Sequence, residues 1–122
     1  GNEPFDVCDS RSFASLLQNP KATEASFNTA YGEYHGTRFN LTQRIFWQGD
    51  WKFIFNGFDF DELYDLANDP HEMKNLINEP EHAARVREMM AEVWRIVRET
   101  GDCAIEETHY YSMRIACVGP NP

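Results

Sequence analysis

Apolar residues return every three or four positions through the second half of the chain: Val86, Met89 or Met90, Val93, then Ile96 or Val97. Arg85, Glu88, Glu92, Arg95 and Glu99 fill the remaining surface, so the pattern predicts an amphipathic helix running to Thr100. Glu79, Pro80 and Glu81 mark its start and Gly101 its C-terminal cap. At about 1.5 Å per residue such a helix spans about 30 Å.

Upstream the period changes. Residues 27–34, 41–48, 51–56 and 62–66 are rich in aromatic and β-branched side chains and are broken by turn residues, which predicts four successive strands in an antiparallel meander. Gly49 and Asp50 between Trp47 and Trp51 form a tight hairpin signal, and Asn56-Gly57 opens a longer turn. In the third strand Trp51, Phe53 and Phe55 share one face. That aromatic face needs a cover, and the long helix is the obvious one.

Smaller signals complete the outline. Asp9 or Ser10 can cap a short helix through Phe13, Leu16 and Leu17, which Asn19 and Pro20 end, leaving a surface loop to residue 26. In DPHEMKNL, Asp69, Pro70 and Glu72 predict a capped helical turn. Beyond residue 102 the loosely alternating His109, Tyr110, Tyr111, Met113, Ile115 and Val118 read as an extended arm. The expected fold is therefore α+β, with a four-stranded antiparallel sheet packed against one long C-terminal helix, a short N-terminal helix and an extended C-terminal arm. The expected organisation is a short helix and linker over residues 1–26, the α+β unit over 27–102 and the arm over 103–122.

Composition supports a packed core, with 42% hydrophobic and 14% aromatic residues in 122. Twenty acidic residues against 11 basic ones give a formal charge of -9, which repels a phosphate backbone and argues against nucleic-acid binding. No stretch approaches the about 20 consecutive apolar residues of a membrane span. Cys8, Cys103 and Cys117 have no metal-ribbon or redox spacing. They read as unpaired buried thiols, with a Cys103 to Cys117 bridge as the alternative for a secreted parent.

With these segments in view, ELYDLANDPHEMKNL at residues 62–76 resembles the late "ELYDL, DP, E, N-L" signature of sulfatases of the alkaline-phosphatase superfamily. DSRSFASLL at residues 9–17 resembles the "DGRSLLPLL" helix of that family, with Ser10 for the usual Gly and Ser15 for the usual Pro. RIFWQGDWKFIFN at residues 44–56 is similar to its "R-x-V-R-x-x-x-Y-K-Y-I" hairpin, with Trp51 in the aromatic position and Lys52 as the lysine. The resemblance implies a C-terminal subdomain attached to an N-terminal catalytic domain of the same polypeptide. That larger domain would carry a formylglycine made from Cys or Ser in C/S-x-P-x-R and a calcium ion, and would hydrolyse a sulfated small molecule or sugar. Neither the nucleophile motif nor the metal ligands are expected in this chain. Cys8-Asp9-Ser10-Arg11 lacks the proline and the spacing. A severed subdomain would expose the surface that met its parent and self-associate. The alternatives are a subdomain of a phosphonate or phosphate ester hydrolase of the same superfamily, and an autonomous carbohydrate- or protein-binding module.

No catalytic or metal-binding residue is assigned. The acidic run Asp59, Asp61, Glu62, Asp65 and Asp69 lacks the calcium-loop spacing and suits turns and caps. His35, His71, His82 and His109 include no pair at helical ligand spacing. Asn40-Leu41-Thr42 is a glycosylation sequon, informative only for a secretory parent. The segment GEYHGTRFN at residues 32–40 gathers Glu33, Tyr34 and His35 between two glycines, with Arg38 just beyond the second. That composition suits charge-assisted hydrogen bonding to a hydroxylated, anionic ligand. In sulfatases the corresponding loop lies near the active-site mouth, so the resemblance implies that these four residues line a substrate pocket. The plainer reading is a solvated loop with Glu33 and Arg38 as a surface pair.

Overall fold

The computed structural model describes residues 12–36, 42–56 and 59–106. Four strands, β1 (Thr29–Tyr34), β2 (Gln43–Gln48), β3 (Trp51–Phe55) and β4 (Glu62–Asp65), form an antiparallel sheet in the order β1-β2-β3-β4. Gly49 makes the β2–β3 turn at φ +59, a backbone conformation that costs a glycine little, and donates its N–H to Asn28 O at 2.8 Å. The predicted meander and hairpin are both present.

Opposed residues in an antiparallel ladder share a face. The register pairs Tyr31 with Phe46, Phe46 with Phe53 and Phe53 with Leu63, which makes one apolar row; Glu33, Arg44 and Phe55 form the neighbouring row on the same side. The predicted long helix, α3, covers this face: a 3₁₀ turn (Pro80–His82) leads into Ala83–Thr100, with Val86, Met89, Met90, Val93, Trp94 and Val97 buried. Both candidate methionines are fully buried, and Val97 rather than Ile96 enters the core. Trp94, absent from the predicted stripe, lies edge-on to Phe55 with ring centroids 5.3 Å apart. Gly101 caps the helix at φ 64, and its N–H bonds Val97 O.

Three details differ from expectation. Asn19 and Pro20 do not open a loop. After the first helix, α1 (Ala14–Gln18), Pro20 starts a second, α2 (Pro20–Thr23), because its missing N–H and fixed φ suit a first helical position; a 3₁₀ turn (Glu24–Phe27) follows. The predicted helical turn after Asp69 is absent: the Asp69 carboxylate accepts the distant N–H of Lys74 at 2.8 Å, and Glu72 takes φ 55, which no right-handed helix allows. The start of the expected arm is a helical turn, α4 (Cys103–Glu106), whose Ile105 joins the core while Cys103, expected to be buried, is a free and exposed thiol. Residues 107–122, with the rest of that arm and Cys117, lie outside the described residues, as does Cys8.

Candidate functional site

The sulfatase-like segment at residues 62–76 works as a clasp that closes the β4 edge of the sheet. Asp65, at the end of β4, accepts N–H groups from Ala67 and Asn68 and the Asn68 side-chain amide, so its carboxyl stays below the usual carboxylate range. Asp69 holds the next turn through backbone N–H groups and is lowered for the same reason. Asn75 then does the work of a short strand. Its Oδ1 accepts from Leu63 N and Ile77 N at 3.0 Å each, and its Nδ2 donates to Asp61 O at 3.1 Å. Leu76 N completes the attachment to Leu63 O at 2.8 Å. Glu72, the remaining acid of the segment, reaches across to Lys52 Nζ at 2.6 Å. Each of these side chains satisfies local backbone or pairs a neighbour, as the plain reading of the acidic run expected. Asp61 is buried with its Oδ1 on Asn56 N, and that burial raises its carboxyl above the usual range.

On the sheet face away from α3, a polar chain crosses three strands. Gln43 donates to Asn56 Oδ1 at 2.6 Å, Asn56 donates to Glu62 Oε1 at 3.1 Å, and Tyr64 donates to Glu62 Oε2 at 2.5 Å. Donation to Glu62 holds the Tyr64 phenol up at about 12.

The loop candidates sit at the opposite edge, and a buried charge positions them. Arg44 is fully buried; its Nε and Nη2 bond Asp102 Oδ2 and Oδ1 at 2.5 and 2.8 Å, and its Nη1 bonds Thr42 Oγ1 and, at 2.8 Å, Gln43 O. A bidentate carboxylate and two further acceptors are what a buried guanidinium requires. The pair ties β2 to the residue after the α3 cap. Thr42 Oγ1 lies 3.5 Å from His35 Nδ1, and His35 Nε2 lies 3.0 Å from Glu33 Oε2. His35 thus stands between a hydroxyl and a carboxylate, each within hydrogen-bond distance. A chain of polar contacts runs from the buried Asp102 through Arg44 and Thr42 to a His35 whose side chain is 57% exposed.

Glu33 and His35 are therefore brought together at the end of β1, while Tyr34 belongs to the other face, opposite Gln43. Arg38, the fourth candidate, lies outside the described residues. Sequence reasoning missed Arg44, Thr42 and Asp102, the groups that orient His35. Arginine in a strand reads as an outward residue, and its carboxylate stands 58 positions away. The arrangement offers an exposed imidazole and a carboxylate at fixed orientation, suited to hydrogen bonding a polar ligand. Among the described residues no three His, Cys, Asp or Glu side chains are grouped to hold a metal ion.

The sequence matches the family described as N-sulphoglucosamine sulphohydrolase, C-terminal, over residues 2–99. Among curated proteins it is 34% identical over 71 residues to an uncharacterized protein of Haemophilus influenzae, covering 58% of this chain and 37% of that one. It is 35% identical over 63 residues to the uncharacterized sulfatase YidJ of Escherichia coli, covering 52% of this chain and 13% of YidJ. The chain thus spans well under half the length of either relative. A solved structure of BT4656 in complex with its substrate D-glucosamine-2-N,6-O-disulfate superposes with a TM-score of 0.66 at 24% identity, over 83% of this chain and 22% of the other. That likeness shows a shared fold. The clasp at residues 62–76, the four-stranded sheet under one long helix and the match across residues 2–99 have one reading: the chain belongs to the N-sulphoglucosamine sulphohydrolase C-terminal family, the C-terminal subdomain of sulfatases.

Proposed function

We propose that this chain is a noncatalytic subdomain of a sulfuric ester hydrolase, that it scaffolds an N-terminal catalytic domain of the same polypeptide, and that its residues 32–40 form part of the wall of that domain's substrate pocket. The observation that carries the reading is the family match over residues 2–99, joined to longer relatives of which the matched stretch covers 37% and 13%. The sequence has no C/S-x-P-x-R motif from which a formylglycine could be made. In the full polypeptide, formylglycine and calcium belong to the catalytic domain, where they would supply the nucleophile and neutralise the sulfate charge. The substrate class is a sulfated sugar or small molecule, in keeping with the sulfated glucosamine bound to BT4656.

The role of this chain's own residues is recognition. Glu33 and Thr42 flank the His35 ring, so the imidazole is positioned before a ligand arrives. His35, by exchanging its exposed contact with Glu33 for the ligand, and Arg38 hydrogen bond the substrate, and the chemistry proceeds elsewhere. Replacing both by Ala in the full-length enzyme is expected to raise KM or shift specificity among sulfated substrates by about tenfold, roughly one charge-assisted hydrogen bond, while the formylglycine content stays the same. Unchanged kinetics would remove these residues from the pocket.

A further inference from the structure

The two edges of the sheet are treated differently. The β4 edge is closed by the Asn75 and Leu76 clasp. The β1 edge has no such cover among the described residues: β1 pairs with β2 alone. In an antiparallel pair alternate residues turn their N–H and C=O groups away from the partner, so an edge strand offers a row of unpaired groups. Edge strands are usually blunted by lysine, proline or a bulge. TAYGEY carries no lysine or proline, and its register with β2 runs without interruption from Thr29 to Tyr34.

A groove of about 280 Å³ lies beside this edge, lined by Thr29, Ala30, Tyr31, Phe46, Arg95 and Ile96 among others. Phe46 on the α3 side of the sheet, with Glu92, Arg95 and Ile96 of α3, places the groove where β1 meets α3. Phe46 and Ile96 are its apolar lining, and Glu92 and Arg95, which pair with each other, are its charged lining. The Tyr31 hydroxyl is buried beside the Arg44–Asp102 pair, and that burial raises its phenol pKa, so it belongs to the interior and not to the groove. An open edge beside a partly apolar groove is the geometry of strand addition.

We propose that β1 is completed by an extended segment of the catalytic domain, which adds a fifth strand to the sheet and lays an apolar side chain against Phe46 and Ile96. The inference rests on the scaffold reading above. The occupant is taken to be the same polypeptide because the chain covers 37% and 13% of its relatives' lengths, leaving most of each outside the region it matches. Strand addition would also fix the end of β1 that carries Glu33 and His35, joining the two domains at the proposed pocket wall.

Amide hydrogen exchange compared between this 122-residue chain, at two concentrations, and the full-length polypeptide tests the proposal. The outward-facing amides of Thr29–Tyr34 are expected to exchange freely in the isolated chain at both concentrations and at least about 100-fold more slowly in the full-length protein. Protection in the isolated chain that grows with concentration would give the edge to a second copy, and protection there at every dilution would give it to the chain's own residues; either overturns the proposal. Equal β1 exchange in both proteins, with α3 or the opposite sheet face newly protected in the full-length one, overturns strand addition and leaves the scaffold reading standing. No new protection anywhere sinks both.

Discussion

Arg44 shows how much of a small domain can hang on one residue. Its guanidinium has no solvent access and spends its donors on Asp102, Thr42 and Gln43 O, so removal of either charge strands the other in the core. Arg44→Ala and Asp102→Ala are each expected to cost about 3–5 kcal/mol in urea unfolding, and Arg44→Met, which fills the space, distinctly less when paired with Asp102→Leu. A loss below about 1 kcal/mol for Arg44→Ala would show that the pair bears little of the load. At this scale the sequence was only partly legible. Glu33 and His35 stood out because charged and imidazole groups cluster between glycines. Thr42, Arg44 and Asp102 did not, since β2 carries apolar side chains on both faces and its alternation cannot say which side is buried.

The elements themselves followed from pattern wherever pattern and packing agree. The period of α3 matched a real apolar stripe, and the aromatic face of β3 found it. The signals that misled were local ones with no face to dock. Asp69, Pro70 and Glu72 have the chemistry of a helix start, but the segment instead wraps back so that Asn75 can reach β4 and Glu72 can reach Lys52. Tertiary hydrogen bonds overrode a local cap. Pro20 misled in the other direction, beginning a helix where it was read as an end. The cap at Gly101 offers a clean test, because a methyl group there meets nothing within 4 Å. Gly101→Ala should therefore cost only the left-handed backbone penalty, about 1–2 kcal/mol by chemical denaturation, with the folded spectrum unchanged. A neutral substitution would mean that the helix end does not depend on its cap.

At the scale of the molecule, the described residues pair a packed core with an edge strand that has a single neighbour. The helix-facing side of the sheet is sealed by α3, and β4 is closed by the clasp, while among the described residues β1 pairs with β2 alone and has the groove and the Glu33–His35 pair beside it. The net charge of -9 repels a phosphate backbone, but charge does not place a fold; what located the chain was the motif at residues 62–76 and the fold around it. The central claim is that this subdomain serves a catalytic domain on the same polypeptide. Mass spectrometry of the native gene product, captured from source cells with an antibody to this chain, tests it most directly. The account predicts a polypeptide several times the 14.2 kDa of this chain, containing a C/S-x-P-x-R peptide whose first residue is converted to formylglycine. A native product of about 14.2 kDa with no larger form would contradict it.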